Sequence, residues 1–176
     1  MATSSIENLL KRKKATKKLL CDRLSISASE PLLGVVLDKK LSDEDENLLN
    51  TILEGALHIN INVVVLTDSN FFENEEVKHV KYSRKNRHEL LEAADMSLSF
   101  PFSDIQEMLL NGTVPISPKR REISDYNPNS ESGNGFVYKE NDYWCMFAAL
   151  VRALETFKFP YDWNNIVKQG FSSVSV

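Results

Sequence analysis

Three cations stand side by side in Lys119-Arg120-Arg121, just after the extended stretch Thr113-Val-Pro-Ile116. Such a turn can grip a phosphate through its charge and through the bidentate fork of each guanidinium. It can equally be an exposed basic turn that holds nothing. The other reactive side chains are scattered. Cys21 and Cys145 lack the spacing of a metal site or a redox pair and read as reduced core thiols. His58, His79 and His88 form no His-x-x-x-His pair, so neither a metal nor a cofactor is expected.

What the turn can do depends on the elements that position it. Apolar runs at 32–37, 61–66, 113–116 and 135–138, the alternating stretch 96–100 and the short segment 77–81 predict six strands. Between them lie helices. Ser42 caps one, with Asp45 completing the box and Leu48, Leu49, Ile52, Leu53 and Ala56 inward. Residues 89–94 lie in a second. A third opens at Ser103-Asp-Ile-Gln106 and ends at Gly112; Leu110 is expected in its core, where truncation to alanine would cost ~2–5 kcal/mol. Two more follow, from about 142 to 157 and after Pro160, so that helices fill about 142–170. The polar loop 117–134 is rich in Asn, Ser and Gly and is expected to be mobile.

Strands alternating with helices predict a Rossmann-like α/β fold, a three-layer sandwich around a mainly parallel six-stranded sheet. Such folds hold ligands beyond the carboxyl ends of the strands. The turns to inspect are therefore 38–41, 67–70, 82–84, 101–103 and 117–122.

Near the start, Lys11, Arg12, Lys13, Lys14, Lys17, Lys18 and Arg23 alternate with Leu9, Leu10, Leu19, Leu20 and Leu24. This predicts a basic amphipathic helix over about 5–24. Its leucines would pack on the domain and its basic face would meet solvent; docking to a membrane surface or a partner is the alternative. The 176 residues suit one domain, 1–176, and the apolar (42%) and charged (26%) fractions are those of a globular chain. A net charge of −4 gives no reason to expect nucleic acid. No apolar run approaches the ~18 residues of a membrane helix, and no signal peptide is visible, which points to the cytoplasm.

The order of segments resembles the C-terminal, nucleotide-sugar-binding domain of bacterial glycogen and starch synthases, one half of a GT-B glycosyltransferase. The likeness runs from about residue 9 onward. It rests on Lys17-Lys-Leu-Leu before Leu32-Leu-Gly-Val-Val, on Val63-Val-Val-Leu66, and on Tyr82 followed thirteen residues later by Ala94-Asp95. Further along, Asn111-Gly-Thr-Val-Pro-Ile116, Asn134-Gly-Phe-Val-Tyr138, Ala149-Leu-Val-Arg-Ala153 and Trp163 with Gln169-Gly170 follow the family's pattern. The resemblance implies transfer of glucose from a sugar nucleotide to an α-1,4-glucan, with this half holding the nucleotide.

Against that pattern much is missing. The resemblance puts Asp38 where the family has a phosphate-binding arginine and Asp43 near its lysine; Lys39 or Lys40 could substitute after a small shift. Thr67-Asp-Ser69 stands for a Gly-x-Gly turn. The stretch between Asp95 and Gly112 is about five residues short, and the family's catalytic glutamate falls in the gap. Asp104, the nearest acid, suits a helix N-terminus instead. Arg120-Arg-Glu-Ile-Ser-Asp125 replaces a glycine-bearing anion nest. No catalytic residue is assigned. The residues left to bind a nucleotide sugar are Tyr82, Gly112, Thr113, Lys39, Lys40, Arg120 and Arg121. Tyr82 could stack on a base, or simply pack at a strand end.

The expected function is therefore a glycogen/starch synthase-like domain of glucan metabolism that is inactive by itself and works as a binding or regulatory module. Two alternatives stand beside it: an active sugar-nucleotide half needing a separate N-terminal domain, and a non-enzymatic interaction domain. The partners expected are a sugar nucleotide or glucan, and a protein or second copy meeting an exposed inter-domain face.

Overall fold

The structure, a computed structural model, describes residues 2–68 and 74–175. Its elements in chain order are α1 (Ala2–Leu24), β1 (Leu32–Val36), α2 (Asp43–Ala56), β2 (Asn62–Thr67), β3 (Val77–Lys81), α3 (Arg84–Ala93), β4 (Met96–Leu98), α4 (Ile105–Leu110), β5 (Val114–Pro118), β6 (Phe136–Tyr138), α5 (Tyr143–Phe157) and α6 (Pro160–Val174). The strands join one sheet in the order β3-β2-β1-β4-β5-β6, and every pairing is parallel. Buried runs such as Leu32-Leu-Gly-Val-Val36 form the central strands because both faces of the sheet are covered.

On one face Leu33, Val35, Val63 and Val65 pack with Leu49, Ile52 and Leu53 of α2, Leu150 of α5 and Ile166 of α6. On the other, Leu32, Val36, Val64 and Leu66 pack with Leu90 and Leu91 of α3 and Met108 and Leu109 of α4. Helix α1 serves both layers, giving Ile6 and Leu9 to the first and Leu20 and Cys21 to the second. At α2 the Asp45 N–H donates to Ser42 Oγ (3.1 Å), and the Ser42 hydroxyl donates to the Asp45 carboxylate (2.9 Å).

Four expectations need correction. Leu110 is 42% exposed, so alanine there removes little buried surface; Ile105, Met108 and Leu109 are the inward residues of α4. The basic face of α1 is not simply solvated: Leu19 is 68% exposed while Lys13 is buried. Cys145 is half-buried rather than a core thiol, although Cys21 is fully enclosed. Loop 117–134 is pinned down: Ile123 and Tyr126 are buried, and the side chain of Asn134 donates to Glu122 O (2.9 Å) and accepts from Ser124 N–H (2.8 Å). Of the turn expected at 67–70, Ser69 and Asn70 lie outside the described residues.

Candidate functional site

The sheet order reverses between β1 and β4, and their carboxyl ends frame the crevice in which doubly wound folds hold ligands. Among the described residues, side chains of α3, α4 and the turn after β1 meet there. From α3, Arg87 donates through Nη1 to Asp38 Oδ2 (2.5 Å) and through Nε to Glu107 Oε2 (2.8 Å), with Nη2 2.6 Å from the same oxygen. The Tyr82 hydroxyl joins this cluster. Burial disfavours the charged guanidinium, but its bonds to Glu107, Tyr82 and Asp38 outweigh that, and its pKa rises above the ordinary arginine value. The space left among Val36, Asp38, Arg87, Leu91, Ser103, Asp104 and Met108 is about 10 Å³, scarcely enough for one water.

The connection from β4 to α4 is short, 99–104, and its one acid is Asp104. That carboxylate accepts from the Glu107 N–H (3.0 Å), so it caps α4 and occupies the positive end of the helix itself. Arg120 clasps the same connection, donating through Nη1 to Ser103 O (3.2 Å) and through Nη2 to Phe100 O. Its guanidinium is thus spent on backbone carbonyls.

The remaining candidates divide between two ends of the sheet. Lys39, Lys40, Lys119 and Arg121 are exposed at the carboxyl end and make no ion pair among the described residues. Tyr82, also at that end, is half-buried against the α3–α4 layer. Gly112 and Thr113 lie at the amino end of β5, roughly 16 Å along the strand from its other end. Gly112 (φ 70°) closes α4 in a Schellman motif, with Thr113 N–H donating to Met108 O (2.9 Å) and Gly112 N–H to Leu109 O (3.0 Å). The Thr113 hydroxyl is buried and donates to Leu91 O and Ala94 O. One ligand crevice cannot include both groups.

At the amino end α1 is tied down by charge. Asp95 accepts from the Leu32 N–H (2.8 Å) and pairs with Lys17 (2.7 Å), which also donates to Glu30 O (2.7 Å). Glu92 accepts from Arg12 Nε and from the Thr16 hydroxyl (2.7 Å). Burial raises the Glu92 pKa, yet these two bonds prevail and hold it below the ordinary carboxyl value. Lys13 donates to Ala94 O (2.6 Å) and Glu92 O (3.2 Å), satisfying carbonyls at the end of α3. Burial drives its pKa from 10.5 down to about 8, against the attraction of Asp95.

Sequence reasoning missed Arg87 and Glu107. The one available signal was the aspartate at position 38: a carboxylate in a crevice built for anions calls for a cation nearby. Nothing local shows that the cation sits on α3, 49 residues away. No group of His, Cys, Asp and Glu that could hold a metal occurs among the described residues. Nor does any described helix have the length and apolarity to cross a membrane.

No family model matches the chain. Among curated proteins it is similar to the glycogen synthase of Fervidobacterium nodosum, 25% identical over 187 residues. That alignment takes in 94% of this chain and 38% of the relative. The glycogen synthase of Clostridioides difficile is 26% identical over 186 residues, 92% of this chain and 38% of the relative. The chain thus spans about 38% of the length of the curated relatives it matches. Among solved structures, the catalytic domain of starch synthase IV from Arabidopsis thaliana, bound to ADP and acarbose, superposes with a TM-score of 0.75 at 19% identity. It aligns over 91% of this chain and 38% of that one. HepE of Anabaena in complex with UDP-glucose gives 0.69 at 15% identity, covering 92% of this chain and 48% of that one. The fold is that seen in one half of GT-B glycosyltransferases. For a GT-B half the crevice between β1 and β4 is the place to judge, and in this one Arg87 and its two carboxylates occupy it. The likeness to glycogen synthases expected from the sequence is present over nearly the whole chain, and extends to only part of those proteins.

Proposed function

We propose that this GT-B half is a glycogen/starch synthase-like domain of glucan metabolism that does not transfer glucose by itself and acts in the cytoplasm as a binding or regulatory module. The observation that supports this is the Asp38–Arg87–Glu107 cluster. It sets two carboxylates at the carboxyl end of the sheet, where doubly wound folds ordinarily hold a ligand, and a carboxylate facing a phosphate is repulsive. Its cation is already neutralised, and the space between Asp38, Arg87 and Asp104 is about 10 Å³. A sugar nucleotide would have to break two ion pairs to enter.

Calorimetric titration with ADP-glucose and with UDP-glucose tests the reading. The expected trace is flat up to millimolar nucleotide sugar, while retention on amylose or glycogen beads marks the glucan-binding role. Saturable heat from either sugar nucleotide would overturn it. That result would favour the second reading, an active half completed by a separate N-terminal domain. The observation behind that reading is the exposed set Lys39, Lys40 and Arg121 at the same end of the sheet.

A further inference from the structure

A cavity of about 510 Å³ lies at the amino end of the strands, away from the β1–β4 crevice. That is the size range of small-molecule sites. One wall is the face of α1 that carries positions 10, 13, 14 and 17, and the opposite wall is the face of α6 that carries 160, 163, 164 and 167. Both sets follow helical spacing, so two helix faces look at one another across a gap. At its base they converge on Gly112, where an added Cβ would meet Lys13 Cδ at 2.9 Å and Val167 Cγ1 at 3.1 Å.

The two walls differ in chemistry. Opposite α1 the lining is mostly apolar: Trp163 of α6 stands edge-on to Phe157 at the end of α5 (5.1 Å between centroids), with Val167 and Asn164 beside them and Lys17 Nζ 5.4 Å from the Phe157 ring centroid. The α1 side brings Lys13, Lys14 and Lys17, and the lining holds one acid, Asp95. Asp95 is neutralised by Lys17, and nearby Glu92 by Arg12. The carbonyls that hold Lys13 are neutral, and Lys14 is exposed with no ion pair among the described residues. Positive charge is therefore left over beside an apolar wall, where the surrounding low dielectric concentrates its field.

We propose that this cleft is a binding site for an amphipathic anion, an apolar or aromatic body carrying a carboxylate, sulfonate or phosphate. The body lies against Trp163, Phe157 and Val167, and the head meets Lys14 with Lys13 behind it. This site is independent of the function proposed above, since it shares no residue with the β1–β4 crevice.

A matched pair of dyes tests it on the full chain: 8-anilinonaphthalene-1-sulfonate and its neutral counterpart N-phenyl-1-naphthylamine. Trp144→Phe leaves Trp163 as the single tryptophan, so quenching of its emission reports occupancy of the cleft. The expected result is saturable quenching by the sulfonate, with the neutral dye weaker by about tenfold or more. Lys14→Glu, a change at an exposed position, is expected to weaken the sulfonate by about tenfold and to leave the neutral dye unaltered. Asn164→Glu on the opposite lip is expected to act in the same direction. Absence of quenching, equal affinity for the two dyes, or full retention of sulfonate affinity in Lys14→Glu would overturn the proposal.

Discussion

Asp38 and Arg87 decide how the crevice behaves. Each would be costly alone in a half-buried place, and together with Glu107 they compensate one another. Arg87→Ala would leave two carboxylates facing each other without a cation. Because the three side chains are 16–32% exposed, solvent screening reduces the loss, and roughly 1–3 kcal/mol of unfolding free energy is expected from urea titration at neutral pH. A variant as stable as the parent would show that the cluster is a surface decoration. Lys13 gives a prediction with a pH window. Its native pKa of about 8 lies below its unfolded value of 10.5, so between those values the unfolded chain binds more protons and stability rises with pH. Below pH 8 both states are charged and the cost of burying the ammonium is felt in full. The stability of the parent relative to Lys13→Met should therefore climb by roughly 3 kcal/mol from pH 8 to 10.5. Comparison with this variant cancels the tyrosines, whose alkaline titration affects both proteins. A difference that stays flat over this window would contradict the burial of the charge.

Among the elements, α4 shows best what the sequence could and could not say. Its existence was legible from the cap at 103–106 and the stop at Gly112, but six residues make under two turns, and its facing could not be read from so short an apolar run. The structure turns Leu109 inward and Leu110 outward. Leu109→Ala is expected to cost ~2–5 kcal/mol and Leu110→Ala less than about 0.5 kcal/mol, a contrast that thermal melts of the two variants resolve. Strands β1, β2 and β5 were legible because a sheet covered on both faces demands continuous apolar runs, and those are visible in the chain, whereas the edge strand β3 offers only Val77 and Val80. Helix α3 starts at Arg84, earlier than expected, because its first turn is polar and carries no periodic apolar residue. The loop 117–134 misled through composition. Its polar residues include Asn134, whose amide stands in for backbone partners and fixes the turn over Ile123 and Tyr126. The ion pairs of α1 were illegible for another reason: Arg12–Glu92 and Lys17–Asp95 join positions about 80 apart in sequence, and charge composition cannot say which lysine meets which acid.

For the whole molecule, the two ends of the parallel sheet differ. The carboxyl end, where the doubly wound fold ordinarily holds its ligand, is closed by Arg87, by Arg120 on the β4–α4 connection and by Asp104 at α4. At the amino end a cavity of about 510 Å³ lies between α1 and α6. The β4–α4 connection, 99–104, is short and carries one acid, Asp104. The most direct test of the closed crevice is an experimental structure of the protein grown and soaked with ADP-glucose at millimolar concentration. The expected structure has Arg87 within hydrogen-bonding distance of both Asp38 and Glu107 and no nucleotide between β1 and β4. Nucleotide density in that crevice, with Arg87 swung away from Asp38, would contradict it.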